Sequence, residues 1–172
     1  MMVNQVQTVK NESLELLRLN ATENRYSILG VLEAMNDSFE TVLLENGQRI
    51  CGLVYYSNGI EPQFSVVEKI DSIFVGFENS IARVNLKTKN ILFDLQLPST
   101  FYEFIYVDKL NLVVISCELD VFVIQHDGEK RWSIGLTDIV NEFRIKDEKS
   151  IYVTCDDGNE FEFNIMDGSL IS

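Results

Sequence analysis

The chain has 172 residues, of which 46% are apolar, 10% aromatic and 24% charged. These are globular proportions, and they exclude a disordered or collagen-like chain. The 27 acidic and 14 basic side chains give a net charge of −13, and a surface this negative repels phosphates, so neither nucleic acid nor anionic lipid is expected as a partner.

The start of the chain and its cysteines bear on the compartment. The N-terminal segment is polar through Asn11 and lacks the apolar stretch of a signal peptide. No run approaches 18 apolar residues, so no membrane span is expected. Cys51, Cys117 and Cys155 are odd in number, lack Cys-x-x-Cys spacing and lie in apolar sequence. We interpret them as core residues of a cytoplasmic protein, the alternative being a redox or metal-binding cysteine.

The first sixty residues have the least regular pattern. Residues 41–56 predict a strand, a turn at Asn46-Gly47 and a second strand. Residues 25–35 fit either one face of a helix or a short strand, and the repetition farther along the chain favours the strand. A diverged repeat is therefore expected over about 14–57.

Three clearer copies follow at an offset of 39 residues, with expected boundaries 63–96, 101–136 and 140–172. Each copy reads as a strand, a polar turn, an apolar second strand, an acidic turn, a third strand, a polar turn and a fourth strand. The second strands, for example, are expected at residues 73–77, 112–117 and 151–155. Short runs of this kind bounded by Asn, Asp and Gly are typical of antiparallel hairpins.

The third copy carries a family resemblance. Its segments IYVTCDDG (151–158), FEFNI (161–165) and DGSL (167–170) resemble a blade of the pyrroloquinoline-quinone-type propeller repeat. Trp132 and Phe93 occupy the aromatic position of that repeat's last strand in the other two copies. The resemblance covers about residues 63–172 and implies blade architecture, and no cofactor site is carried over from it.

The expected fold is therefore all-β: antiparallel four-stranded blade-like repeats forming a small or incomplete β-propeller within a single domain. A β-sandwich built from the same strands is the alternative. At Ser172 the fourth strand of the last copy has barely begun. The open strand edge expected there offers a contact for a homodimer.

Several chemistries are excluded by residue counts. The single histidine, His126, lies beside the Asp127-Gly128 turn, whereas a zinc hydrolase needs two or three imidazoles. Neither a GxSxG nucleophile nor a phosphate-binding glycine loop is present. The run from Asp156 to Glu160 has calcium-loop residue types without calcium-loop spacing. No catalytic residue, cofactor or metal is therefore expected.

The negative charge is concentrated in the repeats. Residues 61–172 hold 20 acidic and 10 basic side chains, against 7 and 4 in residues 1–60, and many of the acids fall at turns. Solvation alone accounts for such a surface, but it also suits a basic protein partner. The candidate partner-binding residues are Glu118, Asp120, Asp127, Asp156, Asp157, Glu160 and Tyr102, the last being the aromatic most expected to be exposed.

Together these features predict a non-catalytic, cytoplasmic protein that binds a basic protein. Its most concrete form is a bacterial immunity protein that neutralises a basic toxin such as a nuclease, whose phosphate-binding cleft the carboxylates would occupy. One alternative is a propeller-type scaffold or interaction subunit. The other is a carboxylate-based enzyme or sugar-binding propeller, which would need acids converging in a pocket.

Overall fold

The computed structural model describes residues 6–30 and 35–172. Its described part divides after Leu95 into two compact units. A short 3₁₀ turn spans Glu68–Ile70. The helix and strands are β1 Val6–Lys10, α1 Leu14–Asn24, β2 Ser27–Leu29, β3 Ser38–Leu44, β4 Arg49–Tyr55, β5 Gln63–Val67, β6 Ser72–Phe77, β7 Ser80–Asn85, β8 Ile91–Gln96, β9 Phe101–Val107, β10 Leu112–Cys117, β11 Asp120–Gln125, β12 Lys130–Gly135, β13 Val140–Lys146, β14 Ser150–Cys155 and β15 Glu160–Asn164.

The first sheet has the order β1-β3-β4-β2. Strands β1, β3 and β4 pair antiparallel, and the predicted hairpin at Asn46-Gly47 joins β3 to β4. Strand β2 pairs parallel to β4, with Ser27 opposite Cys51. Part of the ambiguous segment 25–35 is thus a strand, and residues 31–34 lie outside the described residues.

Helix α1 lies inside the stretch interpreted as a diverged repeat. Ser13 caps it, its Oγ accepting a hydrogen bond from the Leu16 N–H at 3.2 Å. Leu17 and Ala21, four residues apart, form its buried face. The stretch 14–57 therefore differs from the other repeats, because a capped helix replaces its first strand and the edge strand of the sheet comes from Val6–Lys10.

The other sheets are meanders, in which each strand pairs with its neighbour in the chain. Their orders are β5-β6-β7-β8, β9 to β12, and β13-β14-β15, with antiparallel registers. The all-β prediction with antiparallel four-stranded sheets is confirmed. Beside β15, the short segment 169–172 takes the fourth-strand position: the Asn164 N–H donates to the Ser169 carbonyl and the Glu162 N–H to the Ser172 carbonyl, each at 2.8 Å. We call the sheets built from β9–β12 and β13–β15 the third and fourth sheets.

Apolar side chains from facing sheets form a core within each unit. In the first unit, Leu53 and Val75 lie in a cluster shared by the first two sheets. In the second unit, Val114 and Val153 lie in a cluster shared by the third and fourth sheets. The three cysteines are buried and unbonded to one another. The described residues include no helix of the length and apolarity needed to cross a membrane.

Trp132 connects the third and fourth sheets. Its Nε1 donates a hydrogen bond to the Ile165 carbonyl at 3.0 Å, and its ring centroid lies 6.4 Å from that of Phe163. The ring covers Gly168, where an added Cβ would lie 2.8 Å from it. The aromatic on the last strand of one repeat thus packs on the Asp-Gly turn of the next.

Alkaline pH is expected to destabilise the first unit through Cys51. Burial raises the pKa of this thiol from 9.0 to about 12. The unfolded chain therefore loses the proton first, and the stabilisation present below pH 9 is lost as the pH rises toward 12, by about 1.4 kcal/mol per pH unit. Urea unfolding between pH 8 and 11 should show a slope steeper than this, because burial also raises the pKa of Cys117 to about 12.

The matched variant for this measurement is Cys51→Ala. The cavity that it leaves lowers the free energy of unfolding equally at every pH, so the slope against pH can be compared with that of wild type. Its free energy of unfolding should fall less steeply above pH 9, by the contribution of one thiol. Parallel slopes in the two proteins would contradict the assignment to Cys51.

Candidate protein-binding site

One end of the second unit gathers two acidic turns. The first joins β10 to β11 and the second joins β14 to β15. The segment before β13 bridges them: the Val140 N–H donates to the Glu118 carbonyl, and the Asp156 N–H donates to the Ile139 carbonyl, each at 2.9 Å. We call this surface the acidic end; its carboxylates are Glu118, Asp120, Asp138, Asp156, Asp157 and Glu160.

The structure brings six of the seven predicted residues to this surface: Glu118, Asp120, Asp156, Asp157, Glu160 and Tyr102. Asp127 lies in the turn between β11 and β12, at the opposite end of the third sheet. Successive connections of a meander alternate between its two ends, which separates Asp127 from the others. There, Asp127 accepts a hydrogen bond from the Glu129 N–H at 3.1 Å and shapes its own turn.

Basic side chains are segregated from the acidic end. Residues 96–172 contain fifteen acidic and six basic side chains. Arg144 lies in the middle of β13, and the other five, Lys109, Lys130, Arg131, Lys146 and Lys149, lie at the opposite end of the strands. Among the described residues, the ion pairs of this unit join Lys109 to Glu148, Arg144 to Glu142 and Lys146 to Glu162, and thus leave the acidic end unneutralised.

Local hydrogen bonds fix several of the carboxylates. The Ser99 Oγ donates to Asp120 at 2.7 Å, and the Thr100 Oγ1 donates to Glu118 at 3.3 Å. Asp157 accepts from the Asn159 backbone N–H at 2.9 Å. Because neutral donors hold these groups, their negative charge is positioned without being cancelled.

The electrostatic field of the acidic end reaches its neighbours. The pKa of Tyr102 is raised by burial first, and then by the charges of Glu118 and Asp156. Tyr102 is partly buried against the core between the third and fourth sheets. Tyr102 is therefore only partly exposed, whereas the sequence predicts it as the exposed aromatic.

Two exposed apolar side chains lie among the carboxylates, and the sequence argument did not identify them. Leu119 is 41% exposed and Ile139 is 36% exposed. A sequence signal for them exists, namely an apolar residue beside acidic residues at a turn. It occurs in Glu118-Leu119-Asp120 and in Asp138-Ile139. Asp138 likewise belongs to the surface. An acidic rim around apolar side chains is an arrangement that protein interfaces use.

The acidic end has no metal-binding geometry. Throughout the residues that the structure describes, no group of three or more His, Cys, Asp or Glu side chains is arranged to hold a metal ion. The carboxylates are spread over separate turns, which suits contact with an extended surface better than coordination of one ion.

Comparison with known proteins gives the fold. No protein-family model and no curated protein sequence matches the chain. The computationally designed Ika8 protein is similar over 83% of this chain and 46% of its own, with 17% identity and a TM-score of 0.60. Sqt1 of Saccharomyces cerevisiae is similar over 78% of this chain and 43% of its own, with 15% identity and a TM-score of 0.58. The designed Ika4 protein is similar over 59% of this chain and 65% of its own, with 19% identity and a TM-score of 0.52.

The chain thus spans 43–65% of the length of these solved structures. They are propeller-like folds. At 15–19% identity the similarity concerns the fold alone. The chain is therefore an all-β protein with a propeller-like repeat fold.

Proposed function

We propose that this protein is a non-catalytic binding module, located in the cytoplasm, that docks a basic protein on the acidic end of its second unit. The observation that carries the proposal is the segregation of charge: the carboxylates of this surface have no ion-pair partner in the described residues, and the unit's basic side chains lie elsewhere. Interspersed charges of both signs would have served solubility equally well.

The chemistry of the surface specifies the kind of partner. Carboxylates on the rim accelerate association with a positively charged surface and disfavour acidic competitors. Leu119 and Ile139 supply apolar contact area, and removing that area from water on docking favours binding. The matching partner is a surface that carries Lys or Arg around an apolar patch.

A more specific form of the proposal is an immunity or inhibitor protein that neutralises a basic bacterial toxin, such as a nuclease. A nuclease cleft is lined with cations for phosphate, and a row of fixed carboxylates is a chemical substitute for that substrate. We also propose that the repeats are blades of the pyrroloquinoline-quinone type. This part of the proposal concerns blade architecture and implies no cofactor.

The test uses basic toxin domains encoded beside this protein, purified and titrated by calorimetry. The double variant Glu118→Lys/Asp156→Lys should weaken binding by about a hundredfold, because it places cations where the partner's own cations dock. The matched control is Asp127→Lys, a turn carboxylate at the opposite end, which should bind as wild type does. Wild-type affinity should fall as salt is raised.

Equal loss in both variants would indicate that overall charge, and not the acidic end, governs binding. The absence of binding to any adjacent basic product would remove the immunity form of the proposal.

A second candidate is a scaffold subunit that pairs through a strand edge. In the fourth sheet, the short segment 169–172 holds the fourth-strand position and bonds to Glu162 and Asn164 of β15. The outer edge of that segment suits a strand from a second copy or another chain. Sedimentation equilibrium distinguishes the two candidates, since a stable homodimer supports this one.

A further inference from the structure

The chain contains two Asn-Gly dipeptides, both in connections of the first unit. Asn46-Gly47 lies in the hairpin between β3 and β4, and Asn58-Gly59 lies in the loop between β4 and β5. The backbone nitrogen that follows an asparagine can attack the side-chain amide, and a glycine leaves this nitrogen unshielded because it has no Cβ. Both dipeptides are exposed to water. They are therefore two candidate positions for the same covalent reaction.

The two asparagine side chains have the same local geometry. The Asn46 Oδ1 accepts a hydrogen bond from the Gln48 N–H at 2.9 Å, and the Asn58 Oδ1 accepts one from the Ile60 N–H at 3.1 Å. Each arrangement is an Asx turn, which folds the side chain back along the following peptide. A donor on Oδ1 also stabilises the negative charge that develops there when Cγ is attacked. The side chains thus do not distinguish the two positions.

The glycine nitrogens do distinguish them. The Gly47 N–H donates to the Leu44 carbonyl at 2.8 Å, and the Leu44 N–H donates to the Gln48 carbonyl at 3.0 Å, so this turn is closed by two bonds. The Gly59 N–H forms no backbone hydrogen bond with any residue that the structure describes. A nitrogen that is hydrogen-bonded must give up that bond before it attacks, which slows the reaction. Asn58 is therefore the more reactive position.

The loop around Asn58 also permits the rotation that the reaction needs. It spans residues 56–62, and the stretch from Ser57 to Gly59 is exposed. The Ser57 N–H donates to the Asp37 carboxylate at 2.8 Å and holds the start of the loop. Local opening is easiest where few apolar contacts are buried. Bringing the Gly59 nitrogen to the Asn58 Cγ therefore needs a change in this loop alone.

We propose that Asn58 is a site of spontaneous modification, at which the asparagine converts to aspartate and isoaspartate through a succinimide. The Gly59 nitrogen loses its proton to hydroxide and bonds to the Asn58 Cγ, while the side-chain nitrogen leaves as ammonia. Water then opens the succinimide at either of its carbonyl groups, which gives aspartate or isoaspartate. The net reaction consumes a water molecule and releases ammonia, so it needs no further reactant.

The products differ from the native loop in charge and in backbone length. Each product adds a negative charge next to Ser57, whose N–H binds the Asp37 carboxylate. Isoaspartate also adds a methylene group to the backbone. The negative charge of the first unit therefore increases with the age of the molecule. This inference is independent of the docking proposal, because the acidic end belongs to the second unit.

The experiment ages the whole chain in neutral buffer prepared with H₂¹⁸O and follows the label by peptide mass spectrometry. The Asn58 peptide should acquire the label about tenfold faster than the Asn46 peptide, a factor of the size that one backbone hydrogen bond contributes to a barrier. Both aspartate and isoaspartate should appear at Asn58. Equal rates at the two positions, or faster labelling at Asn46, would overturn the proposal.

Ageing in concentrated urea separates the effect of the fold from that of the local sequence. Unfolding removes the bond between Gly47 and Leu44, so labelling at Asn46 should accelerate until the two rates are similar. A rate difference that is as large in urea as in the folded chain would show that the neighbouring residues set it, and the structural assignment would then be wrong.

Matched glycine variants identify the attacking nitrogen. Gly59→Ala should slow labelling at Asn58 by at least about tenfold, because the new Cβ restricts the approach of the nitrogen. Gly47→Ala is the control and should leave the rate at Asn58 unchanged. Nothing lies within 4 Å of a Cβ added at either glycine, and circular dichroism reports whether each variant folds. An unchanged rate at Asn58 in Gly59→Ala would exclude the succinimide route.

Discussion

Replacing Gly30 with Ala should lower the free energy of unfolding by about 3 kcal/mol, the largest effect we expect from a single methyl group in this chain. Gly30 has φ +100°, a backbone conformation that L residues rarely adopt. An added Cβ would also overlap the Val54 carbonyl oxygen. Strand β4 pairs with strands on both sides and cannot yield easily, so urea unfolding followed by circular dichroism should show a much lower midpoint.

Gly47→Ala is the matched control for this substitution. Gly47 also has positive φ, +80°, but nothing lies within 4 Å of an added Cβ. The control should cost only the left-handed strain of about 1 kcal/mol. Equal losses in the two variants would show that conformational strain, and not the contact with β4, sets the effect at Gly30.

Replacing Gly168 with Ala should lower the free energy of unfolding by about 2–3 kcal/mol and shift the tryptophan emission to longer wavelength. The new Cβ would lie 2.8 Å from the Trp132 ring. The ring must move away, which weakens its 3.0 Å hydrogen bond to the Ile165 carbonyl and exposes it to water. Because Trp132 is the one tryptophan of the chain, its fluorescence reports this contact directly.

Two controls isolate the ring contact. Gly158→Ala, at φ +83° with open space around it, should cost only the backbone strain. In a Trp132→Ala background, Gly168→Ala should fall to that same small cost, since the obstructing ring is gone. A persistently large loss in that background would disprove the steric explanation.

The repeated part of the fold was predictable because its local signals agree. Runs such as residues 112–117 are short, apolar and β-branched, and Asn, Asp and Gly bound them, so strand, turn and register follow from the sequence. Helix α1 was missed because its leucines are not confined to one face, Leu16 and Leu19 being exposed, and because its cap at Ser13 stands in polar sequence. The parallel pairing of β2 with β4 is a long-range choice that local periodicity does not encode.

The sequence predicted most residues of the acidic end, but it did not predict which of them lie at the same end of the strands. Counting connections along the meander would have separated Asp127, which follows a third strand, from Glu118 and Asp156, which follow second strands. That the Ser116 hydroxyl lacks a hydrogen-bond partner depends on side-chain geometry and needed the structure.

The interleaved strand order of the first sheet makes its assembly non-local. Val6 pairs with Leu44, 38 residues later, whereas Ser72 in the second sheet pairs with Asn85, only 13 residues later. Closing the longer loop costs more chain entropy before any contact is gained, so the hairpins of the meanders form early and β1 docks late. By the same reasoning, β1 is the first strand to detach on partial unfolding, and its edge position on β3 makes it the natural fraying point of the first unit.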